Sequence, residues 1–170
     1  MVGICYRLVR SRNPVNYLNN LIQISKRSGW VYHASGRSVY RNRVERIKEV
    51  LFVFKSKDAS DFVFVVADVV GVESKFIYSW NNSQFVPDDV AGHCPFKEPD
   101  SKITWWKLTN FRRASKTYVN SLITVVDTVK PGNLVSNLKS SPRTGLWFYR
   151  TPEEDEDVFS KNSSNDGLIF

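Results

Sequence analysis

Cysteine and histidine are scarce: the 170 residues hold only Cys5, Cys94, His33 and His93. The one adjacent pair, His93-Cys94, leaves no set of four ligands at the required spacing, which excludes a zinc finger. Two cysteines without a secretory signal exclude a disulfide framework and make a reducing cytoplasm the expected compartment. No apolar run approaches the ~18 residues of a membrane-spanning helix, so no membrane is expected among the partners. Glycine-rich phosphate loops and nucleophile elbows are absent too. Catalysis would have to be assembled from His33 or His93 and scattered acids, as in a nuclease or base-modifying enzyme. The expectation is a protein that is not an enzyme, with no cofactor and no metal.

What is present is positive charge and aromatic surface. Lys and Arg number 24 against 17 Asp and Glu, for a net charge of +7, and the distribution is uneven. Residues 1–150 carry 23 basic against 11 acidic side chains, whereas the last twenty carry one lysine against six acids. In residues 1–48 only Glu45 opposes ten basic residues, among them Arg7, Arg10, Arg12, Arg37, Arg41, Arg43 and Arg46. Such a body suits a polyanion, nucleic acid or an acidic surface. Aromatics at 14%, with five Trp, favour nucleic acid, because flat rings stack on bases. The competing reading is a solvated basic face over core aromatics.

Ile4 to Val9 reads as a strand that ends at Ser11-Arg12-Asn13-Pro14. Asn13 is a good N-cap, Pro14 fits the first helical position, and Gly29 after Lys26-Arg27 is a stop. Between them Val15, Leu18, Leu21 and Ile22 recur at helical spacing. Trp30 to His33 is a short strand or a loop entry, and Val39 to Lys48 reads as a second, basic helix. Val50 to Lys55 and Phe62 to Val72 flank a polar turn and predict an antiparallel hairpin, with Phe62 to Val66 a strand covered on both faces. Phe76 to Trp80 is a further short strand, and Asn81 to Asp100 a long loop. Ile103 to Phe111 is a strand whose adjacent Trp105 and Trp106 must face opposite ways. Leu122 to Val129 reads as one strand, Leu134 to Leu138 as a short helix and Leu146 to Tyr149 as a closing strand. The fold class is α+β: a curled mixed sheet or small β-barrel with two to three peripheral helices. Residues 1–150 form one nucleic-acid-binding domain, and 151–170 an acidic, Ser/Asn-rich linker or tail.

A pocket for an extruded base needs facing rings and a few polar atoms for the base edge. Aromatic walls also solvate an added methyl group better than water does. Trp30, Tyr32 and Trp80 lie near strand ends, where such a pocket can form; burial in the core is the alternative.

The order of motifs resembles a known family. Tyr6-Arg7-Leu8-Val9-Arg10-Ser11-Arg12-Asn13, a helix, and Gly29-Trp30-Val31-Tyr32-His33-Ala34 look like the opening of YTH domains. The runs at 50–54 and 62–69, Trp80, Lys102 to Leu108 and Pro142-Arg143-Thr144-Gly145 follow in similar order. EVE domains of the PUA-like superfamily share that order. The resemblance implies a reader that flips N6-methyladenine into an aromatic cage. Trp80 would be one wall and Tyr32 or Trp30 the opposing one, with His33 beside it in the register. Phe85 or Phe96 would supply the third. Asn16 would match a side chain that reads the base edge. Arg10, Ser11 and Arg143 would match backbone contacts, joined by Arg12, Arg37 and Arg41 of the basic stretch. Thr144 and Leu146 depart from the family's acidic and amide residues at those places.

Eukaryotic YTH domains read RNA, whereas similar modules open modification-dependent restriction proteins of the McrB type and read methylated DNA. A basic domain at Met1 followed by an acidic linker fits the second arrangement. Methylated DNA is therefore the favoured partner, RNA the alternative, and a C-terminal motor domain in the same chain the expected companion.

Overall fold

The computed structural model describes residues 2–8, 13–35, 44–55, 61–73, 84–87, 104–126, 129–140 and 146–152. Eight strands and three helices lie within them: β1 (Val2–Arg7), α1 (Pro14–Ser28), β2 (Val31–Ser35), β3 (Ile47–Lys55), β4 (Phe62–Glu73), β5 (Thr104–Arg113), α2 (Lys116–Ser121), β6 (Ile123–Val126), β7 (Val129–Asn133), α3 (Leu134–Ser140) and β8 (Leu146–Arg150). The strands form one mixed sheet in the order β2-β5-β4-β3-β1-β8-β6-β7. β1 and β3 pair in parallel, because the chain crosses over through α1 and β2 between them; the other pairings are antiparallel. The α+β class and the mixed sheet are thus as expected. No helix among the described residues is long and apolar enough to cross a membrane.

Local chemistry sets α1. The Asn13 side chain accepts from the Asn16 N–H, Pro14 opens the first turn, and Gly29 closes the helix at φ 86°. A left-handed residue at that position favours glycine. Leu18 and Leu21 are buried against the sheet, each contributing about 1.5–3 kcal/mol, whereas Val15 stays exposed. The Thr109 hydroxyl donates to the Gly29 carbonyl at 2.8 Å and pins the helix end to β5.

Period-two alternation divides the core. Ile4, Phe52, Ala67, Trp106 and Leu108 face α1. Cys5, Leu51, Val53, Val66 and Tyr149 face the opposite side, under Leu122 and the α3 residues Leu134 and Leu138. Arg7 ties β1 to α3 by donating to the Leu138 carbonyl at 3.2 Å. Trp105 and Trp106 do project to opposite faces, into different clusters.

Four local readings change. The strand most completely covered on both faces is β3, buried throughout from Glu49 to Phe54, while Phe62 to Val65 of β4 are only half-buried. The helix read over Val39 to Lys48 gives way at Ile47, where β3 begins; its residues before Val44 lie outside the described residues. The single strand read over Leu122 to Val129 is the first arm of a hairpin, with Val126 paired to Val129. Pro131 then falls on edge strand β7, where a missing N–H is tolerated. Helix α2 was not expected; the Ser115 hydroxyl caps it by accepting from the Tyr118 N–H at 3.1 Å.

Candidate functional site

The register of β2, β5 and β4 places an aromatic cluster at one end of the sheet. Tyr32 pairs with Lys107 and Ala34 with Trp105, while Lys107 and Trp105 pair on their other side with Gly71 and Glu73. Tyr32 and Trp105 are buried, with ring centroids 5.6 Å apart at 80°. Trp30 meets Tyr32 edge-to-face at 4.7 Å. Phe85, from the short turn at 84–87, lies flat on Trp30 with centroids 4.0 Å apart and planes 4° from parallel. Trp30 and Phe85 are only half-buried, so they form the accessible rim over a floor of Tyr32, Trp105 and Val86. Arg27 of α1 donates to the Gln84 carbonyl at 3.5 Å and helps hold that turn.

One ion pair borders the rings. A side chain at Gly71 would press on the stem of Lys107, whose Cδ lies 3.1 Å from where a Cβ would stand. With that space free, the Lys107 ammonium reaches 2.6 Å from Glu73 Oε1 and sits 5.0 Å from the Trp30 ring centroid and 5.6 Å from that of Tyr32. The Tyr32 hydroxyl also donates to Glu73. Burial, that hydrogen bond and the carboxylate charge together raise the phenol well above its ordinary range, so it stays protonated. A hydroxyl, an ammonium and a carboxylate thus converge beside stacked rings.

Of the residues the sequence singled out, Trp30, Tyr32 and Phe85 come together here. His33 faces the other side of β2, buried, with Nδ1 2.6 Å from the Tyr17 hydroxyl. Asn16 is exposed in the first turn of α1. Trp80, Phe96, Arg10, Ser11, Arg12, Arg37, Arg41 and Arg143 lie outside the described residues. Lys107 and Glu73 were not anticipated. The available signal was Gly71, since an isolated glycine within a strand marks a close approach.

A second polar constellation lies on the face covered by α2 and α3. Glu49 is buried on β3, and its Oε1 accepts from the hydroxyls of Tyr118 and of Tyr149, the latter at 2.8 Å. Arg112 stands 3.8 Å from its Oε2 and 2.6 Å from Asp68 Oδ1, and Asn110 donates to Asp68 Oδ2 at 2.7 Å. Asn110 sits at φ 51° where the β4–β5 register shifts, an irregularity that aims Arg112 toward both carboxylates. Each of these side chains is engaged by another member of the group, so the group reads as structural. Cys5 is buried, and burial raises its thiol far above the ordinary range, which makes it inert. Among the described residues no group of three His, Cys, Asp or Glu is placed to hold a metal ion. No protein-family model, curated protein or solved structure matches the chain.

Proposed function

We propose that this chain is a non-catalytic reader of modified nucleic acid, with a YTH-like arrangement of the PUA-like type. It binds a flipped N6-methyladenine, in DNA in preference to RNA, as the specificity module of a cytoplasmic restriction system. The supporting observation is the half-exposed Trp30–Phe85 stack over buried Tyr32 and Trp105, bordered by Lys107 and Glu73. A base sandwiched between two rings needs them about 7–8 Å apart, twice an optimal carbon–carbon contact. At 4.0 Å, Phe85 occupies the seat on Trp30 that a base would take, and binding displaces it. The basic residues of the first third of the chain supply phosphate contacts, which position the strand without reading the base.

The test is a titration of the whole chain with matched DNA and RNA oligonucleotides carrying adenine or N6-methyladenine. Tighter binding to methylated DNA supports the reading. Preference for methylated RNA moves it to the RNA branch of the same resemblance, and cleavage of either strand moves it to an enzyme. Trp30→Ala is expected to lose about 1–3 kcal/mol of affinity for the methylated strand. Its affinity for unmethylated strand, and the slope with salt, should be nearly unchanged; a mutant that keeps the methyl preference overturns the assignment. Affinity should also fall steeply between 50 and 200 mM salt, by about 10³-fold or more if six phosphates are neutralised. A flat salt profile removes the electrostatic half of the reading.

A further inference from the structure

We infer that Glu73 is the specificity-determining acceptor of this site and restricts it to bases whose exocyclic nitrogen still carries a hydrogen. The inference rests on the proposed reading and deepens it from a methyl preference to a requirement on the modified amine.

The Tyr32 hydroxyl has one hydrogen, and it is given to Glu73. Lys107 has three hydrogens and directs its ammonium to Glu73 Oε1 at 2.6 Å. An ionised carboxylate has about four acceptor sites, so the two incoming bonds found among the described residues leave Glu73 with capacity to spare. Its side chain is 36% exposed and that of Lys107 29%, so both remain open to a ligand stacked on Trp30. What the cluster offers is an acceptor beside a donor, which matches an amino N–H next to a ring nitrogen.

Lys107 narrows the class further. Its ammonium already fills the place over Trp30 and Tyr32 that a cationic ligand would seek, and it neutralises Glu73. A positively charged base gains no unpaired carboxylate here. A neutral, monomethylated amino group fits: the methyl lies against the rings and the remaining N–H points at Glu73. A dimethylated amine has no hydrogen to give and leaves the carboxylate facing an apolar group.

The experiment compares oligonucleotides carrying adenine, N6-methyladenine or N6,N6-dimethyladenine at one position, with the wild-type chain and with Glu73→Ala. The wild type should bind the monomethyl strand about tenfold more tightly than the dimethyl strand. Glu73→Ala should bind the two alike, at the weaker level. If the wild type prefers methyladenine over adenine yet accepts the dimethyl base equally, the Glu73 assignment falls while the reading stands. If it does not distinguish methyladenine from adenine, both fall. The wild-type comparison of the two methylated strands is decisive even if Glu73→Ala proves unstable.

Discussion

Replacing Gly3 by alanine is expected to cost about 3–5 kcal/mol of stability, although only one methyl group is added. Gly3 lies on β1 between Glu49 of β3 and Tyr149 of β8, its paired neighbours on either side. Because position 3 has no side chain, the Tyr149 ring crosses over β1 and reaches Glu49. A Cβ at Gly3 would stand 2.7 Å from Tyr149 Cε2 and nearer still to Cζ and the hydroxyl oxygen. The ring has nowhere to retreat, being fully buried and packed with Cys5, Leu51 and Leu138. Moving it also withdraws one of the two hydroxyl donors from a buried carboxylate. Overpacking alone costs about 1–3 kcal/mol, and an under-satisfied buried charge adds a similar amount. Urea unfolding of Gly3→Ala beside Tyr149→Phe checks this. Tyr149→Phe removes only the hydroxyl and should cost the smaller share, about 1–3 kcal/mol. A Gly3→Ala variant within 1 kcal/mol of wild type would show that the ring can move aside.

That crossing ring illustrates which features the sequence could reveal. Helix α1 was legible because its signals are local: Asn13, Pro14 and Gly29 act within a turn of where they stand. The β3–β4 hairpin was legible from two β-rich runs around one polar turn, and Lys55 pairs with Phe62 as that pattern requires. Glu49 was not, because its burial within a strand depends on partners such as Tyr118 and Tyr149, 69 and 100 residues away. With Val44 and Ile47 at helical spacing and Lys48 beside them, residues 44–48 carried a helical pattern that tertiary pairing with β1 overrides. The β6–β7 pairing was hidden because the sequence from Leu122 to Val129 holds no glycine or asparagine to mark where one arm ends. The candidate site divides the same way. Trp30 and Tyr32 are near neighbours on one short segment, and their edge-to-face contact follows from local geometry. Lys107 and Glu73 join them only through the β2–β5–β4 register, which single-residue patterns do not encode.

Acidification is expected to weaken the fold well before the bulk of the carboxylates protonate, and His33 is the reason. Burial pushes its imidazole down to about 3 from an ordinary value of 6.5. Nδ1 is engaged with Tyr17, while Nε2 is buried and has no hydrogen-bond partner among the described residues. The rings of Tyr6 and Phe52 stand edge-to-face to it, each at 4.9 Å. A proton added at His33 therefore brings a charge into an apolar enclosure with one nitrogen unpaired. Below pH 6.5 the unfolded chain binds this proton and the folded chain does not, so protonation favours unfolding. The contribution of neutral His33 is complete above pH 6.5 and is lost as pH falls toward 3, at about 1.4 kcal/mol per pH unit. Over that window the loss is on the order of 5 kcal/mol, comparable to the whole stability of many domains. The clean interval is pH 6.5 to 5, above the range in which ordinary Asp and Glu titrate. There the wild type should lose about 2 kcal/mol of unfolding free energy, and His33→Leu should stay nearly level. His33→Gln, polar but not titratable here, should also stay level and separates the loss of a proton site from the loss of a polar group. Equal slopes for the wild type and both variants would show that His33 is charged without penalty in the folded state.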